Sequence, residues 1–167
     1  MVIPTKDKRE LFMRQVYLNA DMSKDIRTRI GAVLVKEDNV VSMGFNGFPR
    51  KVKDLESRYN NRPVKHLFVV HAEENSVLAA ARHGISTFET TLYTNGYPCC
   101  SCFKCLIQAG VKKVVIHKQW PELDYDQKWI DSVNISKEMA REAEIEVEVY
   151  DKVLGMMGML DGKIINV

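Results

Sequence analysis

Residues 91–110, TLYTNGYPCCSCFKCLIQAG, hold the pattern that decides the fold class. The segment 90–94 is rich in β-branched residues and predicts a strand, whereas residues 99–109 predict a helix that Gly110 ends. A second apolar, β-branched run over residues 111–116 follows at once and predicts another strand. A strand, a helix and a strand in immediate succession are typical of an α/β domain.

The same alternation of helix and strand continues on both sides of this segment. Apolar residues at helical spacing predict one helix over residues 6–21 and another over residues 71–84, which ends at Gly84. The other predicted elements are two hairpin strands, a helix capped by Ser136 and a last strand, over residues 30–35, 40–45, 135–144 and 145–150. Five strands interleaved with helices predict a three-layer α/β/α sandwich with a five-stranded mixed sheet, in one domain over residues 1–167.

Some details of this pattern are less regular. We assign the inner face of the helix at 71–84 to Val77, Leu78 and Ala81. Residues 46–68 are interpreted as rich in loops, because glycine and proline punctuate a charged stretch. The tail at 151–167 is rich in glycine and methionine and has no clear pattern, but its apolar content would suit a subunit contact.

Composition narrows the classes of partner. The 24 Lys and Arg residues nearly balance the 22 Asp and Glu residues, for a formal net charge of +2. This balance argues against a nucleic-acid partner held through many phosphates, but it allows a pocket for a single phosphate. No apolar run reaches the roughly 20 residues that span a bilayer, and the N-terminus has no secretory pattern, so no membrane partner is expected.

Four cysteines lie within seven positions, at Cys99, Cys100, Cys102 and Cys105. A disulfide framework would spread its cysteines along the chain, whereas such clustering indicates metal or redox chemistry in a reducing compartment. We therefore expect a cytoplasmic protein. Cys105 is expected to pack as a small apolar side chain, and the remaining histidines are expected on the surface or in loops, at His66, His83 and His117.

The predicted metal site combines His71-Ala72-Glu73 with Cys99 and Cys102. A catalytic zinc ion takes three protein ligands and leaves a fourth position for water, and one histidine with two cysteines meets that count. Cys99 and Cys102 are three residues apart and share one face of a helix, whose first position suits Pro98. His71 and Glu73 would be about 200° apart around a regular helix, so they can serve one centre only where the helix begins.

Two helix starts would then converge on the metal. A zinc ion with two thiolates, a neutral imidazole and a hydroxide has a net charge of about −1, and a helix start stabilises negative charge by roughly 0.3–1 kcal/mol. H-x-E followed by P-C-x-x-C is the signature of zinc-dependent deaminases. In that chemistry zinc lowers the pKa of its water to about 7, and Glu73 moves the proton to the ring nitrogen and then to the departing amine.

The chain resembles deoxycytidylate (dCMP) deaminases, within the wider cytidine deaminase superfamily, over about residues 23–150. The segments that carry the resemblance are SKDIRTRIGAVLV (23–35), GFNGFPR (44–50), HAEENSVL (71–78) and TLYTNGYPCCSCFKCLIQAG (91–110). HAE and PCxxC are common to the superfamily, whereas GFNGFP together with CxKxxIQAG favours the dCMP branch. The resemblance implies a cytidine deaminase-like fold and the hydrolysis of dCMP to dUMP with release of ammonia.

The resemblance also implies roles for individual residues. It implies one Zn²⁺ held by His71, Cys99 and Cys102, with Glu73 as the proton shuttle. It implies that Asn46 lies near the nucleotide sugar and that the loop 23–29 lies near the phosphate, with these substrate-binding candidates: Asn46, Ala72, Ser23, Arg27 and Arg29. Asn46 could also be a turn residue, and the two arginines could belong to a solvated face. For the family it implies a homohexamer that dCTP activates and dTTP inhibits, with Mg²⁺ accompanying the triphosphate.

Two segments depart from the family pattern. Residues 93–99 read YTNGYPC where the family commonly has YVTxxPC, and this segment lines the base in the superfamily. Phe45 stands in GFNG where many regulated members have GYNG. These departures concern base preference and allosteric control respectively.

Two other functions are compatible with parts of the pattern. The first is a deaminase that acts on another cytosine nucleotide or on a base within nucleic acid, such as a tRNA adenosine deaminase, although a polymer requires a basic open groove. The second is a structural zinc or redox module, which would need a fourth protein ligand from Cys100 or Cys105.

Overall fold

Five strands form one mixed sheet in the computed structural model, which describes residues 7–118 and 127–167. The strands are β1 (Gly31–Lys36), β2 (Asn39–Phe45), β3 (Thr91–Thr94), β4 (Lys113–His117) and β5 (Glu146–Tyr150). Their order is β2-β1-β3-β4-β5. Strand β1 runs antiparallel to both of its neighbours, whereas β3, β4 and β5 run parallel to one another. The predicted five-stranded mixed sheet is confirmed.

Helices cover both faces of this sheet. In chain order they are α1 (Lys8–Ala20), α2 (Glu56–Tyr59), α3 (Arg62–Phe68), α4 (Ala72–Arg82), α5 (Cys100–Gln108) and α6 (Gln127–Glu142). Alternate strand residues such as Val33 and Val115 pack against α1, whereas Leu34 and Val114 pack against the opposite layer, which contains residues of α4, α5 and α6. The predicted three-layer sandwich is confirmed. No helix in the described ranges is long and apolar enough to cross a bilayer.

The tail forms a hairpin, which the sequence pattern did not reveal. Its strands are β6 (Met157–Leu160) and β7 (Lys163–Asn166). Gly158 lies against the ring of Tyr17 in α1, where an added Cβ would be 3.2 Å from Tyr17 Cε1. Val167 is fully buried and joins the core on the α1 side of the sheet. Strands of four residues are too short to show a clear alternation, so composition alone could not identify them.

Residues 46–68 contain α2 and α3, so the predicted loop is partly wrong. The side chain of Asn61 accepts a hydrogen bond from Val64 N at the start of α3. Pro63 lies in the first turn, where its missing N–H breaks no helical hydrogen bond. Proline was interpreted as punctuation of a loop, whereas here it belongs to a helix start.

The inner face of α4 also differs from the prediction. Leu78 and Ala81 are exposed and Val77 is only partly buried, whereas Ala72, Ser76 and Ala80 are buried. The buried residues are small because α4 lies very close to Gly44 in β2, where an added Cβ would be 2.3 Å from Ala72 O. Close packing of helix and sheet therefore selected small side chains over the larger apolar ones.

We expect Gly44→Ala to lower the free energy of unfolding by about 3 kcal/mol, because α4 would have to move away from the sheet. The new methyl group would also lie 2.5 Å from Ser76 N. Urea unfolding followed by circular dichroism measures the effect. The matched control is Gly47→Ala, whose Cβ would meet nothing closer than a Phe45 ring atom at 3.7 Å and should change stability by less than about 1 kcal/mol. Equal stability of the two variants would contradict the close approach of α4.

Two further predictions are corrected inside the fold. Ser136 lies within α6 and donates a hydrogen bond to Ser132 O, a common arrangement for serine in a helix interior, so it is not a cap. His117 is fully buried, whereas His66 and His83 are exposed as expected. The His117 ring lies between Tyr17 Oη and Lys152 O, at 2.7 Å and 3.0 Å. Because a carbonyl only accepts, His117 Nε2 donates to it, and burial lowers the pKa of the ring.

Candidate active site

Two helices begin at the predicted metal ligands. His71 is the N-cap residue of α4 and Cys99 is the N-cap residue of α5, and both have extended backbone angles. Neither side chain caps its own helix, so each remains free to bind another group. The predicted convergence of two helix starts is confirmed. Pro98 precedes the cap of α5 and is therefore not the first helical residue.

The three predicted ligand atoms lie together. His71 Nδ1 is 3.4 Å from Cys99 Sγ and 3.3 Å from Cys102 Sγ. In a tetrahedral zinc site, bond lengths near 2.0 Å to nitrogen and 2.3 Å to sulfur separate the nitrogen from each sulfur by about 3.5 Å. A small rearrangement would thus admit a zinc ion, and the donor set fits this metal.

The group has three protein ligands. Within the described ranges, His71, Cys99 and Cys102 are the residues whose ligand atoms lie within 4.8 Å of one another, and Cys100 and Cys105 are outside that group. Cys100 and Cys105 are both partly buried. Three ligands leave a coordination position open, which is the arrangement of catalytic rather than structural zinc sites.

The side chains of Cys99 and Cys102 are in contact, and each shifts the pKa of the other. Their mutual hydrogen bond, together with that of His71, lowers the pKa of Cys99 to about 4 against the effect of burial. The same sulfur–sulfur contact and burial raise the pKa of Cys102. Zinc binds cysteine as thiolate, so a bound cation would favour the thiolate form of both residues.

Glu73 lies beside the ligands without belonging to their group. It is 4% exposed, and its Oε2 accepts a hydrogen bond from Cys102 Sγ at 3.7 Å. Its position in the first turn of α4 directs the carboxyl group to the same centre as the His71 side chain. Burial raises the pKa of Glu73, and a raised pKa suits a carboxyl group that takes up and releases protons near neutral pH.

The structure places Asn46 and Ser23 in one buried cluster. Asn46 Oδ1 accepts from Ile30 N at 2.9 Å, and Asn46 Nδ2 donates to Thr28 O at 2.8 Å. Ser23 Oγ donates to Asn46 O at 2.7 Å. Both side chains therefore hold the loop 23–29 in its present shape. Ala72 stands between His71 and Glu73 in the sequence; it is the first residue of α4 and is fully buried.

The two arginines of this loop have partners within the chain. Arg27 Nη2 donates to Asp161 Oδ1 at 2.6 Å, at the tip of the β6–β7 hairpin. Arg29 Nε donates to Asp25 O at 3.3 Å, and Arg29 Nη1 lies 3.9 Å from Asp21 Oδ1. The hairpin also contacts the backbone of this loop, because Arg29 N donates to Met159 O.

Three buried residues near this loop were not singled out from the sequence. Asp25 and Lys65 form an ion pair at 2.8 Å with side chains only 4% and 8% exposed. Lys65 belongs to the charged stretch 46–68, which was interpreted as rich in loops, so nothing in the pattern marked it. Asn95 is fully buried, and its only signal was its place in the segment that departs from the family pattern.

Comparison with known proteins gives consistent results. Residues 6–118 match the family described as the cytidine and deoxycytidylate deaminase zinc-binding region. An uncharacterized deaminase in the luxG 3′ region of Aliivibrio fischeri is 34% identical over 136 residues, which cover 81% of this chain and 88% of that protein. Human deoxycytidylate deaminase is 32% identical over 112 residues, which cover 64% of this chain and 62% of the human protein.

A solved structure is also similar over most of the chain. The dCMP deaminase of cyanophage S-TIM5, crystallised in complex with dCMP and dUMP, has a TM-score of 0.65 and 27% sequence identity. The similarity covers 88% of this chain and 100% of the phage protein.

Proposed function

This chain belongs to the cytidine and deoxycytidylate deaminase zinc-binding family, and we propose that within it the chain hydrolyses dCMP to dUMP with release of ammonia. The observation that carries this proposal is the buried Glu73 carboxyl group beside a three-ligand site of one histidine and two cysteines. The phage relative that was crystallised with dCMP and dUMP supports the choice of nucleotide.

The chemistry divides between the metal and the chain. A zinc ion bound by His71, Cys99 and Cys102 would lower the pKa of a water molecule to about 7 and so supply the nucleophile at neutral pH. Glu73 would accept the proton of the attacking water at its carboxylate and deliver it to the ring nitrogen. It would then take the proton of the hydroxyl group added to the ring and pass it to the amine as the amine leaves and the carbonyl forms. Burial keeps this carboxyl group away from bulk water, which helps it retain the proton between steps.

Substrate-binding roles follow the same proposal. The loop 23–29 would form the wall near the phosphate, with Ser23, Arg27 and Arg29 as the candidate residues. Asn46 would lie near the sugar and Ala72 near the base. The anchoring of this loop by buried side chains supports a fixed wall, and Arg27 is half-exposed, so its surface pair with Asp161 could be exchanged for a phosphate at little cost.

A substrate panel tests the proposed function. We expect the purified protein to release ammonia from dCMP far faster than from dCTP or cytidine, and not from tRNA, because the near balance of basic and acidic residues argues against a partner held through many phosphates. Release is measured with a coupled ammonia assay at equal substrate concentrations. Turnover of tRNA without turnover of dCMP would contradict the proposal in favour of a nucleic-acid deaminase.

Assembly, regulation and location are further parts of the proposal. The family resemblance supports a homohexamer with dCTP activation, dTTP inhibition and Mg²⁺ beside the triphosphate, and the exposed Met157 and Ile164 of the hairpin suit a subunit contact. Thiolate ligands suit a reducing cytoplasm. Sedimentation of the protein and dCMP turnover with each triphosphate in Mg²⁺ test assembly and regulation.

A further inference from the structure

We propose that Asn95 is a positioning residue of this site, because its side chain holds residues 28–31 in register with the segment that carries Cys99. The inference rests on the proposed function in one respect, namely that the loop 23–29, which leads into residues 28–31, faces the nucleotide. It concerns a residue that neither the metal chemistry nor the proton transfers require.

The Asn95 side chain makes two hydrogen bonds to the backbone of the segment 28–31, one as acceptor and one as donor. Asn95 Oδ1 accepts from Gly31 N at 3.0 Å, and Asn95 Nδ2 donates to Arg29 O at 3.1 Å. The preceding residue adds a third contact, since Thr94 Oγ1 donates to Gly31 O at 3.0 Å. Asn95 is fully buried, so water cannot replace either of its bonds easily.

Asn46 makes the matching pair of contacts one residue earlier, with Ile30 N and Thr28 O. The two amides therefore satisfy four backbone groups in succession, namely the carbonyls of residues 28 and 29 and the N–H groups of residues 30 and 31. An amide side chain is suited to this task because it has one acceptor and one donor side by side. The segment cannot slide along either asparagine without breaking two hydrogen bonds.

Each asparagine is connected through the backbone to one of the segments that carry the metal ligands. Asn46 is followed by Gly47, which exchanges two backbone hydrogen bonds with Val70, the residue before His71. Asn95 is four residues before Cys99 and belongs to the same connection between β3 and α5. Residues 28–31 thus contact both the segment that leads to His71 and the segment that leads to Cys99. They also follow directly on the loop that we propose lies near the phosphate.

Loss of the Asn95 contacts should affect how the segment 28–31 and the loop before it are positioned against the nucleotide. Removing the Asn95 side chain leaves Gly31 N and Arg29 O buried without partners, and the segment gains freedom to shift. A displacement of about 1 Å in a substrate-positioning element can lower kcat/KM by up to about 100-fold. Because the loop is expected to contact the phosphate and sugar rather than the reacting amine, the loss should fall mainly on KM.

The test compares Asn95→Ala with Asn19→Ala. Asn19 is also a buried asparagine that donates to the backbone of β1, at Ala32 O, but it does so from α1. We expect Asn95→Ala to raise KM for dCMP about tenfold while kcat changes less than about threefold and zinc content stays at that of the wild type. We expect Asn19→Ala to lower stability while KM stays unchanged.

A second variant separates positioning from a general loss of structure. The native amide accepts from Gly31 N and donates to Arg29 O at the same time. The carboxyl group introduced by Asn95→Asp can do both only when it is protonated. Burial raises the pKa of such a group. The ratio of kcat/KM of Asn95→Asp to that of the wild type should therefore rise severalfold as the pH falls from about 8 to about 6.

Three results would overturn the inference. The first is an unchanged KM in Asn95→Ala, the second is a KM increase of equal size in Asn19→Ala, and the third is a pH-independent ratio for Asn95→Asp. Hydrogen exchange of the Gly31 amide adds a readout that needs no turnover, since Asn95→Ala must accelerate it and an unchanged rate also overturns the inference. Absence of wild-type turnover with dCMP would instead contradict the proposed function, and the kinetic comparison would then use the nucleotide of the panel that the wild type deaminates.

Discussion

Glu73→Ala is expected to bind zinc as the wild type does and to lose nearly all dCMP turnover. The carboxyl group is buried beside Cys102 Sγ but is not among the three metal-binding atoms, so its removal should spare the metal. A general acid–base group contributes about 10²–10⁴-fold to a rate, and Glu73 would act in more than one proton transfer, so we expect a loss toward the upper end. Ammonia release gives kcat, and elemental analysis gives zinc per chain.

The matched control is Glu74→Ala, which removes the neighbouring carboxyl group in the same turn of α4. We expect turnover within about threefold of the wild type, because Glu74 is only partly buried and lies outside the ligand group. Near-normal activity in Glu73→Ala would remove this residue from the mechanism. Loss of zinc in that variant would mean that Glu73 supports the metal rather than the proton transfers.

Cys102→Ala is expected to abolish both zinc binding and turnover. Its sulfur lies 3.3 Å from His71 Nδ1 and is one of only three protein ligands within the described part of the chain. Loss of an outer-shell partner already reduces metal affinity or activity about 10–100-fold, so loss of a direct ligand should exceed that range. Zinc content after dialysis and ammonia release from dCMP measure the two effects.

Cys105→Ala provides the control for this experiment. Cys105 is one turn further along α5, is partly buried and is outside the ligand group. We expect it to keep its zinc and its activity. Equal zinc loss in the two variants would indicate a site closed by four protein ligands, which is the structural-module alternative.

The metal site was predictable because its information is local. The ligands lie at the first residues of two helices, so short motifs with fixed spacing determine which side chains converge. The strands β1, β3 and β4 were predictable for a similar reason, since continuous β-branched runs indicate a strand buried on both faces. Their predicted limits differ from the observed ones by at most two residues.

The parts that sequence could not reveal depend on distant contacts. The inner face of α4 was missed because its small residues are selected by the closeness of Gly44, not by hydrophobicity. His117 was missed because its partner Tyr17 lies 100 positions earlier in the chain. The role of Asn95 was missed for the same reason, since its partners are in β1 and the loop before it.

The hairpin of β6 and β7 lies outside the region that the family shares, which ends at residue 118. Its tip nonetheless accepts a hydrogen bond from Arg29 N at Met159 O and pairs with Arg27 through Asp161. One side of the loop 23–29, which we propose lies near the phosphate, is thus built by residues that are distant in sequence from the zinc motifs. A substitution in the tail can therefore displace this loop while the HAE and PCxxC segments stay unchanged.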